Sequence, residues 1–139
     1  RTDGAVGRAA KYADGWLPYM YTPEQLAESI KAIRAYGEEQ GRDMSDFRFG
    51  LYIFSAVHEE NDRAISFAVD RLSTQYSQDF SKLVHKYALA GDPAHCQARL
   101  REYIDAGAST IVVSSACPDD YIDTNLEMTA REVIPAFRS

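Results

Sequence analysis

Hydrophobic residues recur along this chain with two alternating periods. The clearest helical stretch follows Thr22: Leu26, Ile30, Ile33 and Gly37 fall at i, i+4, i+7 and i+11, one face of a helix. Thr22 with Gln25 makes a capping box, Pro23 suits the first helical position, and Gly41 can end the helix. The run Phe47 to Val57, FRFGLYIFSAV, is apolar on both alternations and predicts a strand covered on both faces. Ala64, Ala68, Leu72 and Tyr76 give a second helical stripe, with Asn61 as its cap. Cys96, Leu100, Tyr103 and Ile104 give a third, capped by Asp92, opened by Pro93 and closed by Gly107.

Shorter signals fill the rest. Asp3 to Lys11 reads as a helix and Ala13 to Leu17 as a brief strand stopped by Pro18. Thr110 to Ser115, TIVVSS, reads as a fully buried strand. The last helix should bury Leu126, Ala130, Val133, Ile134 and Phe137, with Pro135 weakening its end. Asp79 to Ala90 has weak periodicity and reads as a connection with a helical turn, a candidate lid. Helices thus alternate with three strands, which predicts βα units whose strands Ala13–Leu17, Phe49–Val57 and Thr110–Ser115 lie parallel and adjacent in that order. Three strands cannot close a barrel. The pattern itself predicts a missing remainder, and edges covered by another copy of the chain.

Composition narrows the class. The 139 residues are 45% hydrophobic and 26% charged, with a net charge of −6. Acidic and basic residues interleave, and no basic run could follow a phosphate backbone, so nucleic acid is not an expected partner. No stretch approaches the roughly 20 apolar residues of a membrane span. The two cysteines, Cys96 and Cys117, form neither a disulfide framework nor a metal quartet, which fits a reducing cytoplasm. His58, His85 and His95 lack metal-ligand spacing and read as surface or capping residues. Asp119 and Asp120 read as solvated helix caps, and Trp16 as a packing anchor. Tyr52 and Phe54 are the aromatic candidates for contact with a planar ring, with core packing the plainer reading. No metal site and no catalytic residue is singled out.

Four stretches, taken together and in order, resemble the luciferase-like monooxygenase family: RTDGAVGRAAKYADGWL (Arg1 to Leu17), FRFGLYIFSAVHEENDRA (Phe47 to Ala64), LAGDPAHCQARLREYIDAG (Leu89 to Gly107), and Ile111 to Arg138 with its ending EVIPAFR. The resemblance implies an α/β fold, the C-terminal part of a (β/α)8 TIM barrel. Residues 1–139 would form a single partial domain with about three parallel strands and flanking helices, against the ~250 residues typical of a whole barrel. It implies a flavin- or deazaflavin-dependent oxidoreductase or monooxygenase, with FMN or the F420-type deazaflavin as cofactor and a small-molecule substrate. Thr2, Asp3, Gly4 and Ala5 would then hold the cofactor phosphate at a helix N-terminus, where backbone N–H groups and the helix dipole favour an anion. The same TDGA read without the family is an ordinary helix cap. The 139 residues alone are expected to show no turnover. The competing expectation is a non-catalytic half-barrel module for binding or assembly.

Overall fold

The structure is a computed structural model and describes residues 3–138. In chain order its elements are α1 (Asp3–Tyr12), β1 (Gly15–Trp16), α2 (Pro23–Glu39), β2 (Arg48–Val57), α3 (Asn61–Tyr76), α4 (Val84–Tyr87), β3 (Ala88–Gly91), α5 (Pro93–Asp105), β4 (Thr110–Ser115) and α6 (Ile122–Met128). A 3-10 turn at Asp119–Tyr121 leads into α6. A π turn (Thr129–Val133) and a second 3-10 turn (Ile134–Phe137) follow it.

The expected α/β order holds. β1 pairs parallel with the start of β2 at Gly15↔Arg48 and Trp16↔Phe49. β4 also pairs with β2. Ser109 N donates to Phe49 O and Ala116 N to Ser55 O, each at 2.8 Å, so the two strands rise together and run parallel. The three predicted strands are therefore neighbours in the predicted order. A fourth, β3, was read from sequence as part of the connection. It pairs parallel with β2 from Phe54↔Ala88 to Val57↔Gly91. Its four residues, ALAG, carry no β-branched side chain and too few positions for a period to show.

The chain divides into two compact units. One comprises Arg1–Tyr52 and Tyr103–Val112. Its main helix, α2, begins as the sequence dictates: Gln25 N donates to Thr22 Oγ1 at 3.2 Å and Thr22 N to Gln25 Oε1 at 3.0 Å. Leu26, Ile30, Ile33 and Gly37 are its buried face. Met44, itself buried, lies across Gly37 so closely that a Cβ there would overlap its Cγ, Sδ and Cε. Gly107 closes α5 at φ +120°, a conformation that favours glycine, and Ala108 N donates back to Tyr103 O at 3.1 Å. Within this unit Tyr103 is fully buried, and its hydroxyl donates to Tyr21 O at 2.6 Å.

The other unit comprises Ile53–Glu102 and Val113–Ser139. Ala64, Ala68 and Leu72 of α3 are buried as the stripe predicts, while Tyr76 packs edge-on against Phe54 at 6.2 Å. α5 starts on Asp92, whose Oδ1 accepts from His95 N at 2.9 Å.

Four local expectations are corrected. Asn61 is the first residue of α3 rather than its cap, and its Oδ1 accepts from Asp92 N at 2.9 Å, so a longer-range bond takes the side chain. β1 is shorter than Ala13–Leu17, because only Gly15 and Trp16 find ladder partners in β2. β4 is half-exposed, not fully buried, since among the described residues β2 is its only strand partner. In the C-terminal segment Leu126 and Ala130 are exposed, and the buried face is Asn125, Thr129 and Val133. The helix does give way to irregular turns around Pro135, which lacks an N–H and cannot continue an α-helical ladder.

Candidate functional site

Of the four residues read as a phosphate site, Thr2 lies outside the described residues. Asp3 opens α1, Gly4 is exposed and Ala5 is half-buried. Val6 and Ala10 bury the helix's inner face. Its far end is gripped by Arg42, which donates to Ala10 O at 2.8 Å and Ala13 O at 2.5 Å while stacking 5.4 Å above Phe47. A cation on the terminal carbonyls suits the negative end of the helix dipole. Arg8, exposed, sits one turn beyond Gly4 on the same helical face.

Trp16 meets Tyr21 edge-on at 5.3 Å, the packing role expected of it. With Gly15, Leu17, Arg48, Gly50, Thr110 and Val112 it lines a hollow of about 300 Å³. Leu17 and Val112 there are 51% and 40% exposed. Of the two ring-contact candidates, Phe54 is buried with its ring against Tyr76, and Tyr52 is half-buried.

The candidate lid is not one. Phe80, Val84, Ala88 and Leu89 are buried, and Arg99 donates to Lys86 O at 2.6 Å, so the segment belongs to the core of its unit. Among the described residues no group of three His, Cys, Asp or Glu side chains could hold a metal ion. Asp119 pairs with Arg71 at 3.2 Å, and Asp120 is exposed. Both cysteines are free and buried. Burial pushes the Cys96 thiol up to about 12 and also raises that of Cys117, so neither is a ready nucleophile.

Sequence reading missed the most elaborate polar arrangement. Asn125 is fully buried: its Oδ1 accepts from Val57 N at 2.7 Å, and its Nδ2 donates to Ser55 O at 3.2 Å and Ser115 Oγ at 3.0 Å. Its side chain thereby fixes the C-terminal ends of β2 and β4. Beside it Tyr121 donates to Val57 O at 2.8 Å, and burial raises its phenol above the usual range. His58, the residue after β2, packs against Tyr121 at 5.5 Å and Phe67 at 6.0 Å, and Tyr121 and Phe67 lie 5.0 Å apart. Glu60 N donates to His58 Nδ1 at 2.9 Å. No spacing in the sequence announces this grouping, because Tyr121 and Asn125 meet β2 only through the fold.

A family model described as luciferase-like monooxygenase matches residues 1–83. Among solved structures, an F420-dependent secondary alcohol dehydrogenase in complex with an F420–acetone adduct superposes with a TM-score of 0.81 at 17% identity, covering 98% of this chain and 46% of that one. The coenzyme F420-dependent tetrahydromethanopterin reductase of Methanopyrus kandleri gives 0.70 at 20% identity, covering 96% and 48%. A riboflavin lyase with modified FMN and riboflavin gives 0.70 at 11%, covering 99% and 41%. The chain thus has the α/β fold of part of a luciferase-like TIM barrel and spans somewhat under half the length of these proteins.

Proposed function

Because this chain belongs to the luciferase-like monooxygenase family, we propose that it supplies the cofactor-phosphate end of the site in a flavin- or deazaflavin-dependent oxidoreductase acting on a small-molecule substrate. One observation carries this reading. Gly4 lies exposed in the first turn of a ten-residue helix whose other end is neutralised by Arg42. The first-turn amides of a helix seek acceptors, and a residue without a side chain lets a phosphate oxygen come close. Asp3 and Ala5 extend that turn, Thr2 precedes it, and Arg8 adds a positive charge one turn further on.

FMN and F420 both fit such a donor set, since each carries a phosphate. Bound there, either would supply the hydride or electron chemistry of its reduced ring. The chain's own part is to bind, orient and exclude water. Residues 1–139 then act as one partial domain, self-associating, in a reducing cytoplasm that keeps Cys96 and Cys117 as thiols.

The test is a titration of the whole protein with FMN, F420 and riboflavin. Gly4→Asp should weaken the phosphate-bearing cofactor about tenfold by placing a carboxylate beside the anionic phosphate, and leave riboflavin unchanged. Equal FMN and F420 affinity in both proteins would leave α1 a capping role only. A wild-type protein that binds none of the three would favour the non-catalytic module.

A further inference from the structure

We infer that the exposed face of α1 holds an anionic tail running on from the cofactor phosphate, so that the site takes F420, which has such a tail, rather than FMN, which ends at its phosphate. The inference rests on the cofactor reading above. It concerns α1 alone, within the unit that contains Arg1–Tyr52.

Gly4, Arg8, Lys11 and Tyr12 lie at i, i+4, i+7 and i+8, one face of the helix, and all four are exposed. From Gly4 to Tyr12 the helix carries two basic residues and no acidic one, in a chain whose net charge is −6. Among the described residues neither Arg8 nor Lys11 pairs with a carboxylate. The Lys11 Nζ rests over the Tyr12 ring at 5.1 Å, a contact that leaves its N–H donors free for an anion. Between the two cations Gly7 keeps the flank open, since nothing lies within 4 Å of the point where its Cβ would stand. The carbonyl end of a helix ordinarily repels an anion. Here Arg42 donates to Ala10 O and Ala13 O, which offsets that repulsion where the tail passes.

Spacing selects a ligand that extends. At the rise of an α-helix, Arg8 stands about 6 Å and Lys11 about 10 Å beyond Gly4 along the axis. FMN brings one phosphate and nothing after it, which leaves Lys11 without an anion. F420 continues through its phosphate into a chain of glutamate residues, each adding a carboxylate. An extended peptide-like chain advances about 3.5 Å or more per residue, so the first of those carboxylates reach Arg8 and Lys11. Exposed pairs of this kind are individually weak, and two of them together give a preference rather than an absolute choice.

The experiment titrates the whole protein with FMN, with F420 stripped of its glutamates, and with F420 carrying three of them, at low and at high salt. The three-glutamate form should bind about tenfold tighter than the stripped form, and the gain should shrink as salt rises. Lys11→Gln, an exposed substitution that a helix tolerates, should cut that gain about threefold and leave FMN and stripped F420 at wild-type affinity. Arg8→Gln, nearer the phosphate, should weaken every form and the three-glutamate form most. Equal wild-type affinity for F420 with and without glutamates, with Gly4→Asp still impaired, overturns this inference and leaves the cofactor reading standing. A gain from the glutamates that survives both Lys11→Gln and Arg8→Gln also overturns it, since the tail then runs elsewhere. So does a protein that binds FMN and not F420. Binding of no cofactor by the wild type overturns both readings.

Discussion

Asn125 shows how much one side chain can hold. Truncating it to Ala would strip the partner from Val57 N, on a buried stretch of β2, and leave Ser55 O with Ala116 N alone. An unsatisfied buried group costs roughly 1–3 kcal/mol, so Asn125→Ala should destabilise by on the order of 2 kcal/mol in urea denaturation. A loss below about 0.5 kcal/mol would mean that water replaces the amide. Sequence pattern could not reveal this residue. Periodicity looks for apolar positions, and the apolar neighbour Leu126, which points to the other side, proves 47% exposed. A buried Asn between polar and apolar neighbours has no one-dimensional signature. Its backbone partners on β2 lie 68 and 70 residues away.

At the level of elements, legibility tracked local chemistry. α2 could be read to its caps because Thr22, Pro23, Gln25 and Gly41 act within a few residues of one another. α5 was equally plain from Asp92, Pro93 and Gly107. β3 and the half-exposure of β4 were not legible, since both depend on what pairs beside them. α1 lies between these cases. Its helical stretch shows in sequence, but its anchor, Arg42, comes from the loop after α2. Arg42→Ala removes two charge-assisted bonds, to Ala10 O in the last turn of α1 and to Ala13 O just after it, and should release that helix locally by about 1–2 kcal/mol. Hydrogen exchange should quicken at α1 amides while α2 stays protected. Arg42→Lys should recover only part, because a point charge cannot hold both carbonyls as the planar guanidinium does. Unchanged exchange in α1 would show that Val6 and Ala10 suffice to dock it.

For the molecule as a whole, family and fold class were legible from the four stretches taken in order. The grouping of His58, Phe67 and Tyr121 was not, because its members meet only through the fold. A further expectation belongs at this scale. Leu17 and Val112 stand exposed around the hollow beside Trp16, and apolar surface of that kind favours association. The 139-residue chain should therefore form dimers or larger species by light scattering, and Leu17→Lys with Val112→Lys should shift it towards monomer. A clean monomer before mutation would refute this. The close fit of Met44 over Gly37 has a different outcome, one written in chemistry rather than in codons. The chain has three methionines, and Met20 and Met128 are half-buried while Met44 is almost wholly enclosed. Peroxide would reach the first two early and with little harm. An oxygen added to the Met44 sulfur would crowd the space that Gly37 leaves by having no side chain. Oxidative ageing of this chain would thus pass through two spectators before reaching the one sulfur whose modification unseats a helix.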